Sequence, residues 1–277
     1  MNKSPHKYLK DGHIHTPYCP HGTDDSFEEY VQKAIQVGVD EISFTEHFPL
    51  PEGFEDPAPA KDSSIEADKM ESYINDVKKI KEKYKDQIKI NIGAEVDYIE
   101  GFEEEIKNNL NKYGEYLEDS ILSVHMIKIN DEYHLIDYSP EKFGELVDLL
   151  GSIENVYYKY YDTVKMAVNS DLGRYKPRRI GHLNLVRKYN KIYPYDYSGN
   201  EKLEEIVKIV KSKDYELDFN VSGYRKPYCN EAYIDGYLLK LVRDYNVKTI
   251  LGSDSHTHDT VGYKKKEYNR LMEELQF

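Results

Sequence analysis

The residues in this chain with the most chemistry begin close to its start, in Asp11-Gly12-His13-Ile14-His15-Thr16. Side chains two apart on an extended strand point to one face, so a single ion can take both imidazoles. A pair alone also fits two ordinary core histidines, because short motifs match by chance. The same chemical character recurs along the chain in His21, His47, Glu95, His125, His182, Asp254 and His256. Imidazole and carboxylate donors together suit zinc, iron or manganese, and there is no thiolate cluster of the structural zinc type. Nine donor residues are too many for one tetrahedral ion. With waters and a bridging carboxylate they suit two or three.

The elements that must position these donors are legible from periodicity and caps. Ser26 and Glu29 form a capping box ahead of a helical apolar stripe through Phe27, Tyr30, Val31, Ala34 and Ile35, which stops at Gly38. A strand from Glu41 to Thr45 leads into Glu46-His47, and residues 49–63 read as a long loop. A helix over about 65–85 precedes the alternating strand 88–92, which runs on to Glu95. A helix near 102–116 and a strand 120–124 end at His125; Pro140 then opens a long Tyr-rich helical region reaching about 169. Strand 179–181 ends at His182, helix 200–213 precedes strand 216–221, and helix 231–244 precedes strand 248–251, with Asp254 and His256 just beyond and a last helix after them.

Seven strand-then-helix units with no linker predict an α/β fold with a parallel sheet, closed as a distorted (β/α)7 barrel in one domain spanning 1–277. A doubly wound open sheet is the alternative. In a βα barrel the active site lies at the C-terminal ends of the strands. Here the donors fall at or just past six of the seven predicted strand ends.

Composition narrows the partners. A net charge of −13 argues against a large nucleic-acid surface, though not against a local basic pocket for a small phosphorylated molecule. Two cysteines, Cys19 and Cys229, fit a reducing cytoplasm rather than a disulfide scaffold, and both are read as packing residues. No apolar run is long enough for a membrane span, and the start lacks the apolar core of a signal peptide. The expectation is a cytoplasmic protein with no nucleic-acid or membrane partner; nothing in the residues specifies an oligomeric state.

Taken together, His13-x-His15-Thr16, Thr45-Glu46-His47, Gly93-x-Glu95, Ser123-Val124-His125, Gly181-His182 and Gly252-Ser253-Asp254-Ser255-His256 resemble the PHP (polymerase and histidinol phosphatase) superfamily. The resemblance covers nearly the whole chain. It implies a barrel of the PHP type and three divalent metal ions: one on His13, His15, Glu95 and Asp254; one sharing Glu95 with His125 and His182; and one on His21, His47 and His256. Cys-Pro-His-Gly after the first pair, Phe-Pro-Leu-Pro after His47, Arg187 five residues after His182, and Ser222-Gly223-x-Arg225-Lys226-Pro227 are most similar to the histidinol-phosphatase members.

The expected reaction is therefore hydrolysis of L-histidinol phosphate, in histidine biosynthesis, by a metal-bridging hydroxide. Arg187 and Arg225 would hold the phosphate, and Asp254, His256 or a metal-bound water would move the leaving-group proton. The alternatives are a PHP phosphoesterase acting on nucleotides or nucleic-acid ends, and a non-catalytic metal-binding module. Loop 49–63 is expected at the substrate rim, with Glu52, Glu55 or Asp56 meeting a cationic amine. The run Tyr157 to Tyr161 is read as a packed helix face, and His6, His134 and His258 as outside the site.

Overall fold

Residues 8–274 are described in a computed structural model; His6 lies outside them. The chain runs β1 (Lys10–Ile14), α1 (Phe27–Val37), β2 (Glu41–His47), α2 (Met70–Tyr84), β3 (Lys89–Asp97), α3 (Glu103–Tyr113) and β4 (Ile121–Ser123). A hairpin of β5 (Met126–Ile129) and β6 (Glu132–Leu135) precedes the helices α4 (Pro140–Leu150) and α5 (Ile153–Asn169). The remainder runs β7 (Arg179–Ile180), α6 (Glu201–Ser212), β8 (Glu216–Asn220), α7 (Gly236–Asp244), β9 (Thr249–Gly252) and α8 (Lys265–Glu274).

Strands β1, β2, β3, β4, β7, β8 and β9 pair in parallel in that order, and β9 returns to β1 through Leu251 and Asp11. The sheet is closed, which excludes the open doubly wound alternative. Local signals work as their chemistry requires. The Ser26 side chain accepts from the Glu29 amide while Glu29 reaches back, and Gly38 ends α1 at φ 73. Tyr73 on α2 is fully buried and sets its hydroxyl 2.9 and 2.8 Å from the carbonyls of Phe44 and Gly93, tying the helix to β2 and β3. Tyr157, Tyr160 and Tyr161 are buried on α5, a packed face.

Three readings need correction. The helical region from 140 to 169 is two helices, because Gly151 takes φ 80 and Ser152 at once caps the next helix by accepting from the Asn155 amide. The hairpin at 126–135 was not predicted; Asn130 and Asp131, at φ 49 and 64, give the positive-φ pair that a tight hairpin turn needs. The last predicted strand-linking helix starts at Gly236 rather than 231, capped by Asp235, and before it the Tyr233 amide donates to the Asn220 carbonyl at the end of β8, at 3.0 Å.

Below the site, the N-terminal end of the barrel is closed by charge rather than by apolar side chains. Buried Arg179 lies 2.8 Å from Asp119 and donates to the Gly12 carbonyl at 2.7 Å. Lys10 joins Asp119 at 2.8 Å and Glu41 at 3.1 Å, and the Asn91 amide donates to Glu41 at 2.7 Å.

Candidate metal centre

The strand ends bring all nine sequence-predicted donors to one side of the barrel. His13 lies within β1 and His15 just past it, both fully buried, with their Nε2 atoms 3.3 Å apart. Glu95 on β3 turns one carboxylate oxygen toward this pair: Oε2 is 3.4 Å from His13 Nε2 and 3.5 Å from His15 Nε2. Asp254, after β9, puts Oδ1 3.8 and 3.4 Å from the same two nitrogens. A tetrahedral ion with bonds near 2.0–2.1 Å holds its donors about 3.3–3.4 Å apart, so four of these five separations match the edges of such a polyhedron and the His13–Asp254 one, at 3.8 Å, is longer.

The other oxygen of Glu95 faces a second group. Oε1 is 3.0 Å from His182 Nε2, after β7, and 3.7 Å from His125 Nε2, after β4. The Ser123 hydroxyl donates to it at 2.6 Å and holds the carboxylate across both groups. Gly181 leaves room for that hydroxyl; a Cβ there would sit 2.0 Å from it. A third group surrounds His21, whose Nε2 is 3.2 Å from the Nε2 atoms of both His47 and His256.

The support beneath these donors was not foreseen. His13 Nδ1 meets Asp218 Oδ2 at 2.7 Å, His125 Nδ1 meets Asp97 Oδ1 at 2.6 Å, and His15 Nδ1 meets Glu46 Oε1 at 3.3 Å. Each carboxylate takes one ring nitrogen and leaves Nε2 aimed at the centre, the arrangement that orients metal-binding histidines. Asp97 and Glu46 lie on the strand beside their histidine's own, whereas Asp218 reaches His13 from β8, across β9. Asp218 fits because residue 252 is glycine: a Cβ there would lie 1.8 Å from Asp218 Oδ1. Asp254 itself takes φ 52, a left-handed conformation uncommon outside glycine, held by its amide donating to the His13 carbonyl at 2.8 Å and by the Ser222 hydroxyl on Oδ2 at 2.9 Å.

The electrostatics ask for cations. Burial would raise the carboxyl of Glu95, yet His13 and His125 hold it well below the usual range; Asp254 is held down in the same way by His13 and His15. Burial would strip the proton from His13 and His125, but Glu95 with Asp218 for the first, and Asp97 with Glu95 for the second, push both up to about 10. His47 and His256 go well below the imidazole value through burial and the neighbouring His15. Protons thus gather beside the carboxylates, where divalent ions would replace them. The donor chemistry and the spacings fit metal.

Above the donors opens a cavity of about 460 Å³, in the range of small-molecule sites. Arg225 lines it: one guanidinium nitrogen donates to the carbonyls of Ser253 and Asp254 at 2.9 Å each, and Nη1 is buried with no protein partner. Lys226 and Lys188 line it too; Lys188 pairs with Asp137 at 2.8 Å, and Lys226 makes no ion pair among the described residues. Arg187 does not line it. Its guanidinium is committed to Glu231, to the Tyr195 carbonyl at 3.3 Å and to the face of Tyr197 at 4.4 Å. The 3-10 turn that carries both residues turns Lys188, not Arg187, toward the cavity.

Loop 49–63 does reach the rim, through Ala58, Asp62 and Ser63. Asp56 instead ties the loop together, accepting from the amides of Ala58 at 2.8 Å and Ser63 at 3.0 Å, while Glu52 and Glu55 are exposed away from the cavity lining. His258 lies outside the centre, 2.9 Å from Asp25, and His134 sits on the β5–β6 hairpin.

The family model for the PHP domain matches residues 11–222 of this chain. The chain belongs to the PHP family. The match stops before Asp254 and His256, so these two candidate donors lie beyond the matched segment. Among curated PHP relatives, histidinol-phosphatase of Bacillus subtilis (strain 168) is 43% identical over 258 residues, spanning 92% of this chain and 96% of its own length. The crystal structure of hisK from Listeria monocytogenes superposes with a TM-score of 0.89 at 36% identity, covering 94% of this chain and 99% of that one. Histidinol phosphate phosphatase of Lactococcus lactis, crystallised with zinc, L-histidinol and phosphate, shares the fold at a TM-score of 0.73 and 23% identity, over 97% of this chain and 94% of that one.

Proposed function

We propose that this PHP chain is a histidinol-phosphatase, a metal-dependent phosphomonoesterase that releases phosphate from L-histidinol phosphate in histidine biosynthesis. The observation that carries the reading is the joint placement of seven of the nine candidate donors and three cationic side chains around one cavity, with buried His13 and His15 against Glu95, in a chain 43% identical to a histidinol-phosphatase over most of its length. The proposal extends to three divalent ions, zinc, iron or manganese, and to residues 1–277 acting as one domain, since Asp254 and His256 come from the strand that closes the barrel. We place the protein in the reducing cytoplasm, on its two unpaired cysteines.

The ions would lie on His13, His15, Glu95 and Asp254; on Glu95, His125 and His182; and on His21, His47 and His256. When bound, such ions lower the pKa of water to near neutrality and draw charge off the phosphoryl oxygens. The chain's own residues do the rest. Arg225, pinned by two carbonyls, keeps Nη1 free for a phosphate oxygen, and Lys226 and Lys188 add positive charge on the same wall. Arg187 has no part in this step, its guanidinium being paired with Glu231. Tyr233 lines the cavity with a buried hydroxyl that lacks a protein partner, a donor left for the substrate. Asp62, whose carboxylate makes no ion pair among the described residues, faces the cavity where a substrate ammonium needs a counter-charge. Asp254 and His256 would serve as donors to the ions through Oδ1 and Nε2; Asp254 Oδ2 already accepts from Ser222 at 2.9 Å, and His256 Nδ1 lies 3.2 Å from the Asp254 carbonyl, so both side chains hold position rather than move the leaving-group proton.

Phosphate release from histidinol phosphate, AMP and a short DNA oligomer, each with and without chelator, tests the reading. Chelator-sensitive turnover fastest on histidinol phosphate is expected. Faster turnover of AMP would overturn the substrate, and no chelator-sensitive hydrolysis would leave a metal-binding module.

A further inference from the structure

The turn Cys19-Pro20-His21-Gly22 delivers more than one side chain to the third group of donors. The Cys19 amide donates to the Thr16 carbonyl at 3.0 Å and the Gly22 amide to the Cys19 carbonyl at 3.2 Å, so the chain folds tightly over the thiol. A Cβ at residue 22 would lie 3.1 Å from Cys19 Cβ and 3.6 Å from Sγ, a close approach. Cys19 is 7% exposed, and its polar neighbours are the imidazoles of His15 and His21. Its Sγ and one nitrogen each of His15, His47 and His256 all lie within 4.8 Å of one another. His15 already turns Nε2 toward His13 and Asp254 at 3.3 and 3.4 Å. His21 is not in that set, but its Nε2 lies 3.2 Å from the Nε2 atoms of both His47 and His256, so with His15 committed to the first group the thiol stands beside three remaining imidazoles.

We infer that Cys19 Sγ joins them as a fourth donor, so that the third ion is held by three imidazoles and one thiolate. The inference rests on the three-ion reading above. On binding, the S–H bond breaks, its proton leaves to solvent and both sulfur electrons go into the S–metal bond; nothing is oxidised or reduced. A thiolate selects zinc, cobalt or cadmium over manganese, so the third position is set apart from the two that carry only nitrogen and oxygen. The second cysteine offers a contrast. Cys229 donates its thiol to the Glu231 carbonyl at 3.7 Å, packs among apolar residues, and does not line the cavity.

The test loads the full-length protein with cobalt, counts metal by elemental analysis and records the near-ultraviolet sulfur-to-cobalt charge-transfer band. The band is expected in the wild type and in Cys229→Ser, and is lost in Cys19→Ser. X-ray absorption of the zinc-loaded wild type should find a sulfur scatterer at about 2.3 Å, which needs no variant to fold. Three bound ions with neither band nor sulfur scatterer overturn the thiolate and leave the three-ion centre standing. Fewer than three ions overturn the three-ion reading itself. A band that survives in Cys19→Ser overturns the assignment to this residue.

Discussion

At the residue scale, two arginines assigned the same role from the sequence have different fates. Arg225 keeps an unpartnered nitrogen on the cavity wall, whereas Arg187 spends its guanidinium on Glu231, Tyr195 and Tyr197. Arg225→Ala should lower kcat about 100-fold or more with metal content unchanged, the scale of losing one preorganised charged donor. Arg187→Ala should instead cost about 2 kcal/mol of stability in a chemical-denaturation curve, because it strands a half-buried Glu231, while kcat of the folded fraction stays close to wild type. Equal losses of kcat in both variants would sink the distinction. Asp62→Asn should raise KM for histidinol phosphate several-fold and leave KM for a substrate without an amine, such as phenyl phosphate, in place. The donors themselves were legible because imidazoles and carboxylates recur at strand ends. Arg187 was not, since whether a side chain enters a cavity or a neighbour's ion pair depends on how the turn 185–189 rolls, and no local pattern encodes that.

At the element scale, each strand contributes one turn of geometry beyond its last hydrogen bond, and the sheet aligns those turns. Strand β8 supplies no metal donor, yet its Asp218 holds His13 at 2.7 Å, in the space that Gly252 of β9 leaves open. Gly252→Ala should therefore push Asp218 away and weaken metal binding by about 10–100-fold, read as a shift in a metal-titration curve; unchanged affinity would remove Asp218 from the account. The elements were mostly visible in periodicity, caps and punctuation. The misses share a cause: Gly151-Ser152 and Asn130-Asp131 are two-residue signals inside stretches where a longer apolar pattern runs on and drowns them. The closed lower end of the barrel was also invisible, because Lys10, Glu41, Asp119 and Arg179 look like surface charges until four strands meet. Burial would raise the Asp119 carboxyl, but Arg179 and Lys10 outweigh it and lower it to about 2. A carboxylate lowered on folding stabilises the fold at pH above its ordinary value of 3.8, and that stability drains as pH falls from about 4 to 2. The difference in unfolding free energy between wild type and Asp119→Asn, about 2 kcal/mol at neutral pH, should shrink across that window in chelator-treated protein. A constant difference would show that Asp119 is not ionised against Arg179.

At the scale of the whole molecule, the fold separates its tasks by end. Charge locked into permanent ion pairs closes the N-terminal end of the barrel, and charge left for ions and phosphate opens the C-terminal end, the division expected of βα barrels. The closure between β1 and β9 matters to both, since it brings Asp254 and His256 beside His13 and His15, some 240 positions away along the chain. The cavity lining itself holds five carboxylates, Asp62, Glu95, Asp97, Asp137 and Asp254, against three cations, Arg225, Lys226 and Lys188, so a phosphorylated substrate would need the proposed ions as well as those cations to offset the repulsion. Metal content and phosphate release from histidinol phosphate, measured on the same preparation of wild type and of the His13→Ala, His15→Ala double variant, test this account most directly. The account predicts about three ions and chelator-sensitive turnover in the wild type, and at least one ion fewer with nearly all turnover lost in the variant. A folded double variant that keeps its full metal content and its turnover would contradict it.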